Sequence, residues 1–309
     1  MNRRILPVLF LLVIAASTVK PALAWNDRGH MTVAYIAYAH LNAKTRDRVD
    51  ALLKLNPSYN DWLASEFCAP DPQRLFGLAQ MPNLGVEEAI AEMKRCKQKG
   101  FRGVILTAWP NGGDALGPED DAFFAAAEAM EMPISIHIRI VRPSRKSTGA
   151  LEGPAAIANM ALAGMSLFPE VMCEIMMGGV HDRFPKLHFL GVETDVGWVP
   201  AALEQLDNFY WRNRAHTGVS IQRLPSEYFH DHWCCTFIHD RVGIKNRYDV
   251  GVRNMAWSTD YPHHGNDWPY SRKVVGEMFD GVPAQERYDI LAGNMVRIYQ
   301  LPQALGVPA

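Results

Sequence analysis

The sequence has no surplus of basic charge: 31 Lys and Arg stand against 33 Asp and Glu, for a formal net charge of -2. That balance leaves no electrostatic footprint for nucleic acid or an anionic membrane surface. Its N-terminal apolar run, Ile5 to Ala16, falls short of the roughly 20 residues that a membrane span needs. Paired cysteines are missing too, because Cys68, Cys96, Cys173, Cys234 and Cys235 are odd in number and scattered, so no disulfide framework is legible. No internal repeat, low-complexity tract or glycine-rich phosphate loop after a first strand is present, which argues against repeat arrays and open dinucleotide-binding sheets. The hydrophobic fraction of 48% is enough for a true core and excludes a disordered or fibrous chain.

What is present begins with Arg3 and Arg4, the apolar run, a short polar stretch and Ala22-Leu23-Ala24. This is the layout of a secretory signal peptide over residues 1–24, predicting cleavage before Trp25 and a secreted or periplasmic mature chain. Export leads to an oxidising compartment, where paired thiols are the rule. Cys234 and Cys235 lie in a strand-like run and so point to opposite faces, which rules against bonding to each other. The larger part of the chain thus has the look of cytosolic sequence behind an export signal, which points to two pieces of separate origin joined near Pro57.

Residues 25–57 carry helical periodicity: Val33, Ile36, Ala37 and Leu41 recur at helical spacing, as do Val49, Leu52 and Leu53 after a cap-like Asn42. Alone, this helix pair is too small to bury a core. Its start, Trp25-Asn-Asp-Arg-Gly-His30 followed by Met-Thr-Val-Ala-Tyr-Ile-Ala, resembles the mature N-terminus of the zinc-dependent single-strand nucleases. The resemblance implies that Trp25, through its amine and carbonyl, and His30 bind zinc. The further His and Asp ligands and the Trp-Ala-Asp element of those nucleases are absent, so this fragment has no nuclease chemistry of its own. The other reading makes Trp25 a packed core side chain and His30 a surface one.

Beyond Pro57, over residues 58–302, short apolar runs alternate with amphipathic helices, the pattern of βα units around a parallel sheet. The runs Leu75–Ala79, Gly103–Thr107, Ile134–Ile138, Leu187–Val192, Cys234–Phe237 and Met255–Ser258 predict six strands. Helices are predicted over Val86–Gln98, Asp120–Glu131 and Trp198–Arg214, with a last one opening at Pro283–Arg287 and ending near Tyr299. This α/β order fits a (β/α)8 TIM barrel better than an open sheet.

Three side chains close predicted strands, at the end where barrel active sites assemble. His137 ends Pro133-Ile-Ser-Ile-His137, and a lone His there is a candidate metal ligand. Asp260 follows Trp257-Ser-Thr, where it can hold a metal or accept a proton from metal-bound water, or simply form the turn before Tyr261-Pro262. Glu193 follows Leu187–Val192 and can orient a substrate, act as acid or base, or pair with a barrel arginine. Trp109, Arg139, His263 and Trp268 are candidates for the mouth of the barrel, with His263 assigned to substrate binding.

The stretches Tyr59-Asn-Asp-Trp-Leu63, Asp71-Pro-Gln-Arg-Leu-Phe-Gly-Leu-Ala-Gln-Met-Pro82, Gly100-Phe-Arg-Gly-Val104, Arg183-Phe-Pro-Lys-Leu187, Glu193-Thr-Asp-Val-Gly-Trp198 and Ser258-Thr-Asp-Tyr-Pro-His263 resemble the amidohydrolase-related family that includes aminocarboxymuconate-semialdehyde decarboxylase. The resemblance implies a divalent metal, zinc by expectation, with His137 as the strand-five ligand and Asp260 as the strand-eight ligand. Glu193 stands where the decarboxylases carry His. The family's first strand bears Asp-x-His or His-x-His, and neither stands ahead of the first predicted strand here, so the barrel is expected to be incomplete, lacking its first two strands.

Two ligands alone bind metal weakly. Two open sheet edges and an uncovered interior of several hundred Å² would cost on the order of 10 kcal/mol at about 25 cal/mol per Å², and favour a homo-oligomer. The expected activity is a metal-dependent hydrolase or decarboxylase acting on a small carboxylated or aromatic molecule, impaired by the lost strand. The alternatives are a non-enzymatic truncated or fused product and a zinc-dependent nuclease fragment.

Overall fold

In a computed structural model, which describes residues 57–142, 153–263 and 265–302, the apolar runs form six short parallel strands. These are β1 (Ala79–Gln80), β2 (Val104–Leu106), β3 (Ile134–His137), β4 (Phe189–Val192), β5 (Trp233–Phe237) and β6 (Met255–Trp257). They pair in sequence order, as right-handed βα crossovers demand. Only the last residue of the predicted first strand belongs to β1, which runs on into Gln80. The signal segment 1–24 and residues 25–56 of the helical fragment, with Trp25 and His30, lie outside the described residues.

Side-chain alternation along the strands divides the sheet into two unequal faces. On one, Val104, Ile134, Phe189 and Trp233 stand level across β2 to β5 and join Phe123, Phe124, Phe168 and Met172 in the main core beneath the helices. On the other, Leu190, Cys234 and Ala256 form a small cluster closed by Met295, Ile298 and Tyr299 of the last helix. The Tyr299 and Ser135 hydroxyls share a hydrogen bond of 2.8 Å, so this helix fills the space inside the amino-terminal end of the strands. The adjacent Cys234 and Cys235 divide between the two clusters, and all five cysteines are free.

The helices follow their local signals. Val86–Gln98 buries Ala89, Met93 and Cys96 at helical spacing, with Glu87 and Glu88 in its first turn and Arg95 and Lys97 in its last, each charge suited to the macrodipole. Asp121–Ala129 and Val199–Thr217 match their predicted spans within a few residues. The final helix is interrupted, running Ala284–Tyr288, a π-helical turn Asp289–Gly293, then Asn294–Ile298. A 25-residue helix, Gly153–Met177, and the shorter Pro225–His232 have no counterpart in the sequence reading.

As expected, the edge strands β1 and β6 have no further strand partner among the described residues, but side chains cover part of each edge. Ala79 and Met81 donate their amides to β2, which turns the backbone of Gln80 away from the sheet. There the buried Asn60 meets it as a strand would, accepting from the Gln80 amide at 2.9 Å and donating to its carbonyl at 2.9 Å. Asn60 also donates to Glu92 at 2.7 Å, and Arg95 grips Glu92 at 2.7 Å. At the other edge Asn294 donates to the Met255 carbonyl at 2.9 Å and to Val252 at 2.8 Å. Two side-chain carboxamides thus satisfy edge groups that neighbouring strands would otherwise pair.

Candidate active site

The carboxyl ends of β3, β4 and β6 bring four predicted side chains into one line of contacts. His137, the last residue of β3, places Nε2 3.0 Å from Glu193 Oε2. Glu193 directly follows β4 and neighbours Asp260, which in turn lies 3.0 Å from His263 Nδ1. The order is therefore His137, Glu193, Asp260, His263. Glu193 and Asp260 are largely enclosed, whereas the two imidazoles reach solvent. The arginine partner considered for Glu193 is replaced by His137.

The backbone beneath this line is unusual. Ile138, Glu193 and Asp260 have φ of 55°, 57° and 54°, in the left-handed region that side chains other than glycine rarely adopt. All three sit just past a strand. Such strain persists only where the surroundings fix it, and here they do. The Glu193 amide donates to Thr236 Oγ1 at 2.9 Å, and the Thr194 and Asp195 amides donate to the Thr236 carbonyl. Asp240 accepts from the amides of Val196 and Gly197 at 2.8 and 2.6 Å. Gly164 of the long helix lies so close that a Cβ there would stand 2.5 Å from the Thr194 carbonyl oxygen. The turn carrying Glu193 is thereby clamped between β5 and that helix.

The two carboxyls behave differently. Burial raises the pKa of Glu193, but the hydrogen bond and charge of His137 outweigh it and hold Glu193 below the ordinary carboxylate range. Burial and the adjacent Glu193 charge push Asp260 up, with only partial relief from His263. Of the two, Asp260 therefore holds a proton to higher pH than Glu193 does. Paired carboxyls whose pKa values are driven apart are suited to separate acid and base roles.

His137, Glu193, Asp260 and His263 are thus brought together. Trp109 is corrected: it is fully buried in the main core and does not line the mouth. Arg139 is exposed beyond β3, and Trp268 is exposed against Tyr261 at 5.7 Å between ring centroids. Thr236, Asp240 and Gly164, which fix the Glu193 turn, escaped the sequence reading. Asp240 alone carried a signal, as an Asp before a short helix that it caps through Gly243.

The amidohydrolase family model matches residues 40–301. Among curated relatives, 2-amino-3-carboxymuconate-6-semialdehyde decarboxylase of Dictyostelium discoideum is 23% identical, covering 84% of this chain and 69% of its own length. Gamma-resorcylate decarboxylase of Rhodococcus jostii is 24% identical, with 68% of each chain covered. Among solved structures, 5-carboxyvanillate decarboxylase from Sphingomonas paucimobilis superposes with a TM-score of 0.66 at 22% identity, over 79% of this chain and 71% of that one. A dihydroxybenzoic acid decarboxylase from a Polaromonas species, solved with manganese and 2-nitroresorcinol, gives 0.64 at 21% identity, over 80% and 75%. These likenesses fit an α/β fold of the TIM-barrel type from which part of the barrel is missing.

Proposed function

The chain belongs to the amidohydrolase family, and we propose that it is a carbon–carbon lyase that removes the carboxylate of a small aromatic acid as CO2. The observation that carries this reading is the line of contacts from His137 through Glu193 and Asp260 to His263 at the carboxyl ends of β3, β4 and β6. Several relatives are named for such reactions. Asp260 would deliver its proton to the ring carbon that bears the carboxylate. As the C–H bond forms, the bond to the carboxylate breaks, CO2 leaves, and its electron pair restores the aromatic ring. A proton from solvent, passed through exposed His263, returns Asp260 to its acid form. Glu193, anchored by His137, keeps that proton on Asp260 between turnovers.

A divalent cation, zinc or manganese, belongs to the same proposal, since related structures hold manganese. It would polarise the substrate when bound. The described residues do not by themselves make its site: no group of three or more His, Cys, Asp or Glu among them has metal-holding geometry. His137 is engaged by Glu193, and Asp260 by Glu193 and His263. No proton step above passes through the metal.

The test is turnover of 2,6-dihydroxybenzoate and 5-carboxyvanillate, with and without added manganese, followed by CO2 release in deuterated water. Deuterium at the carbon that lost its carboxylate, abolished by Asp260→Asn, supports lyase chemistry. Hydrolysis of an ester or amide panel in place of CO2 release overturns it in favour of a hydrolase. The lack of a three-ligand group among the described residues favours a second reading, a non-enzymatic product, and silence in both panels would support it. Export through residues 1–24 is part of the proposal, and N-terminal sequencing of the secreted or periplasmic chain should begin at Trp25.

A further inference from the structure

The opposite end of the sheet carries a second concave, charged feature that the proposed chemistry does not use. An open cleft of about 710 Å³ is lined in part by His188, His230, Asp231, Arg253 and Arg297. His188 immediately precedes β4, and Arg253 lies just before β6, so the cleft opens at the amino-terminal ends of the strands. The line from His137 to His263 lies at their carboxyl ends.

Its charges are unbalanced. The Arg297 guanidinium donates to the Arg253 carbonyl at 2.9 Å and approaches Asn294 Oδ1 at 3.5 Å, which leaves most of its donors without a partner among the described residues. Burial and the positive charge of Arg253 both disfavour the charged form of Arg297, and Cys234 and Asp289 do not make up the difference. Among the described residues neither arginine forms an ion pair. Asp231, the one carboxylate in the lining, is already held by Arg223 at 2.6 Å.

The cleft is also rigidly built. Asn254 donates to the carbonyls of Phe229, His230 and Trp233 at 3.1, 2.8 and 2.8 Å, which fixes the backbone that presents Arg253. Gly251, at φ 95°, leaves a gap that a Cβ would close against Asn254 Oδ1 at 2.3 Å.

We propose that this cleft is a binding site for a small oxyanion of two or more negative charges, gripped by Arg253 and Arg297. Planar guanidinium donors match the oxygens of phosphate and carboxylate groups, and a fixed pair of like charges is relieved by such a ligand. His188 and His230 add ring nitrogens at its border.

Isothermal titration of the full chain with pyrophosphate and with citrate, at constant ionic strength, tests the site. The expected result is saturable binding of one ion per chain, weakened about tenfold or more in Arg253→Gln. The Arg253 side chain makes no hydrogen bond within the described residues, so this variant should keep its fold. Arg297→Lys, which retains charge but loses the fork, should weaken binding less. Asp260→Asn and the surface variant Arg272→Gln should bind as the parent chain does. Binding of pyrophosphate alone assigns the site to phosphate esters, and binding of both probes assigns it to oxyanions in general. No saturable binding of either probe, or equal binding by Arg253→Gln, overturns the proposal.

Discussion

Acidification from pH 7 to pH 4.5 should destabilise this protein well before its carboxylates titrate, and His181 should be the main cause. The imidazole is 2% exposed, stacks on His232 at 4.5 Å, and accepts a hydrogen bond from the Trp233 indole at 2.8 Å on Nε2. Protonation would place a second hydrogen in that bond and a charge in a buried site. Burial, reinforced by the neighbouring His232 and His188, pushes its pKa down to about 2 from 6.5. A depressed folded-state pKa stabilises the fold fully above the unfolded value, and that stability is lost as pH falls below it. One proton taken up on unfolding gives a slope of about 1.4 kcal/mol per pH unit. Over the two units from 6.5 to 4.5 the loss is therefore about 3 kcal/mol.

His188 and His232 are depressed as well, by burial first, and act in the same direction. Glu193, held below the ordinary carboxylate range by His137, adds its loss mainly toward and below the acid end of this window. Asp260, with a raised pKa, works the other way and offsets part of the effect. Urea unfolding at pH 7.5, 6.0 and 4.5 reads the result. With a urea slope of about 1–3 kcal/mol per molar, the midpoint should drop by about 1–3 M. In His181→Gln, which keeps an acceptor for Trp233, the pH dependence should flatten. A parent midpoint that holds steady to pH 4.5, or an unchanged slope in the variant, would refute the reasoning.

Other perturbations address the site. Glu193→Gln removes the ionised partner of Asp260 and should lower kcat by about a hundredfold or more, with KM within a few-fold, in steady-state decarboxylation. Gly164→Ala drives a methyl into the Thr194 backbone and should cost about 1–3 kcal/mol in urea unfolding while shifting the Glu193 turn. Normal stability with full activity would show that the helix gives way freely. Metal-free protein loaded with manganese or zinc should lose the ion in a single dialysis, because among the described residues His137 and Asp260 are the two expected ligands and no group of three forms. Stoichiometric metal retained through dialysis would require further ligands.

The sheet was legible in the sequence because each strand is a short apolar run between turn signals, and parallel strands need no finer pattern. His137, Glu193 and Asp260 were legible for the same reason: each lies at or just past the carboxyl end of such a run. What they touch was not. Sequence position left Glu193 open between a substrate role, acid or base work and an arginine partner, whereas the register of β3 against β4 sets His137 beside it. Trp109 follows β2 as a mouth residue would, yet its ring turns into the helix-packed core, a choice that spacing does not encode. The Gly153–Met177 helix was hidden by Gly164 and Pro169, both ordinarily helix-weakening. Gly164 is there because the Thr194 backbone leaves no room for a side chain.

Asn60 and Asn294 left no trace in the pattern at all, since a lone asparagine between apolar runs reads as a turn. Their positions bear on the site in different ways. Asn60 caps β1, which contributes none of the four site residues, while Asn294 caps β6, whose carboxyl end leads into Asp260. Removing either carboxamide strands edge groups of the sheet and should cost about 1–3 kcal/mol for each buried group left without a partner. Asn60→Ala and Asn294→Ala should therefore lose comparable stability in urea unfolding. Activity should separate them: an unpinned β6 shifts Asp260 against Glu193 on β4, so Asn294→Ala should lose turnover well beyond its loss of folded protein. Asn60→Ala should keep its turnover per folded molecule, because β2 to β5 stand between the freed edge and Asp260. Equal losses of specific activity in the two variants would mean that the sheet moves as a unit and that the position of Asp260 is set by the loops alone.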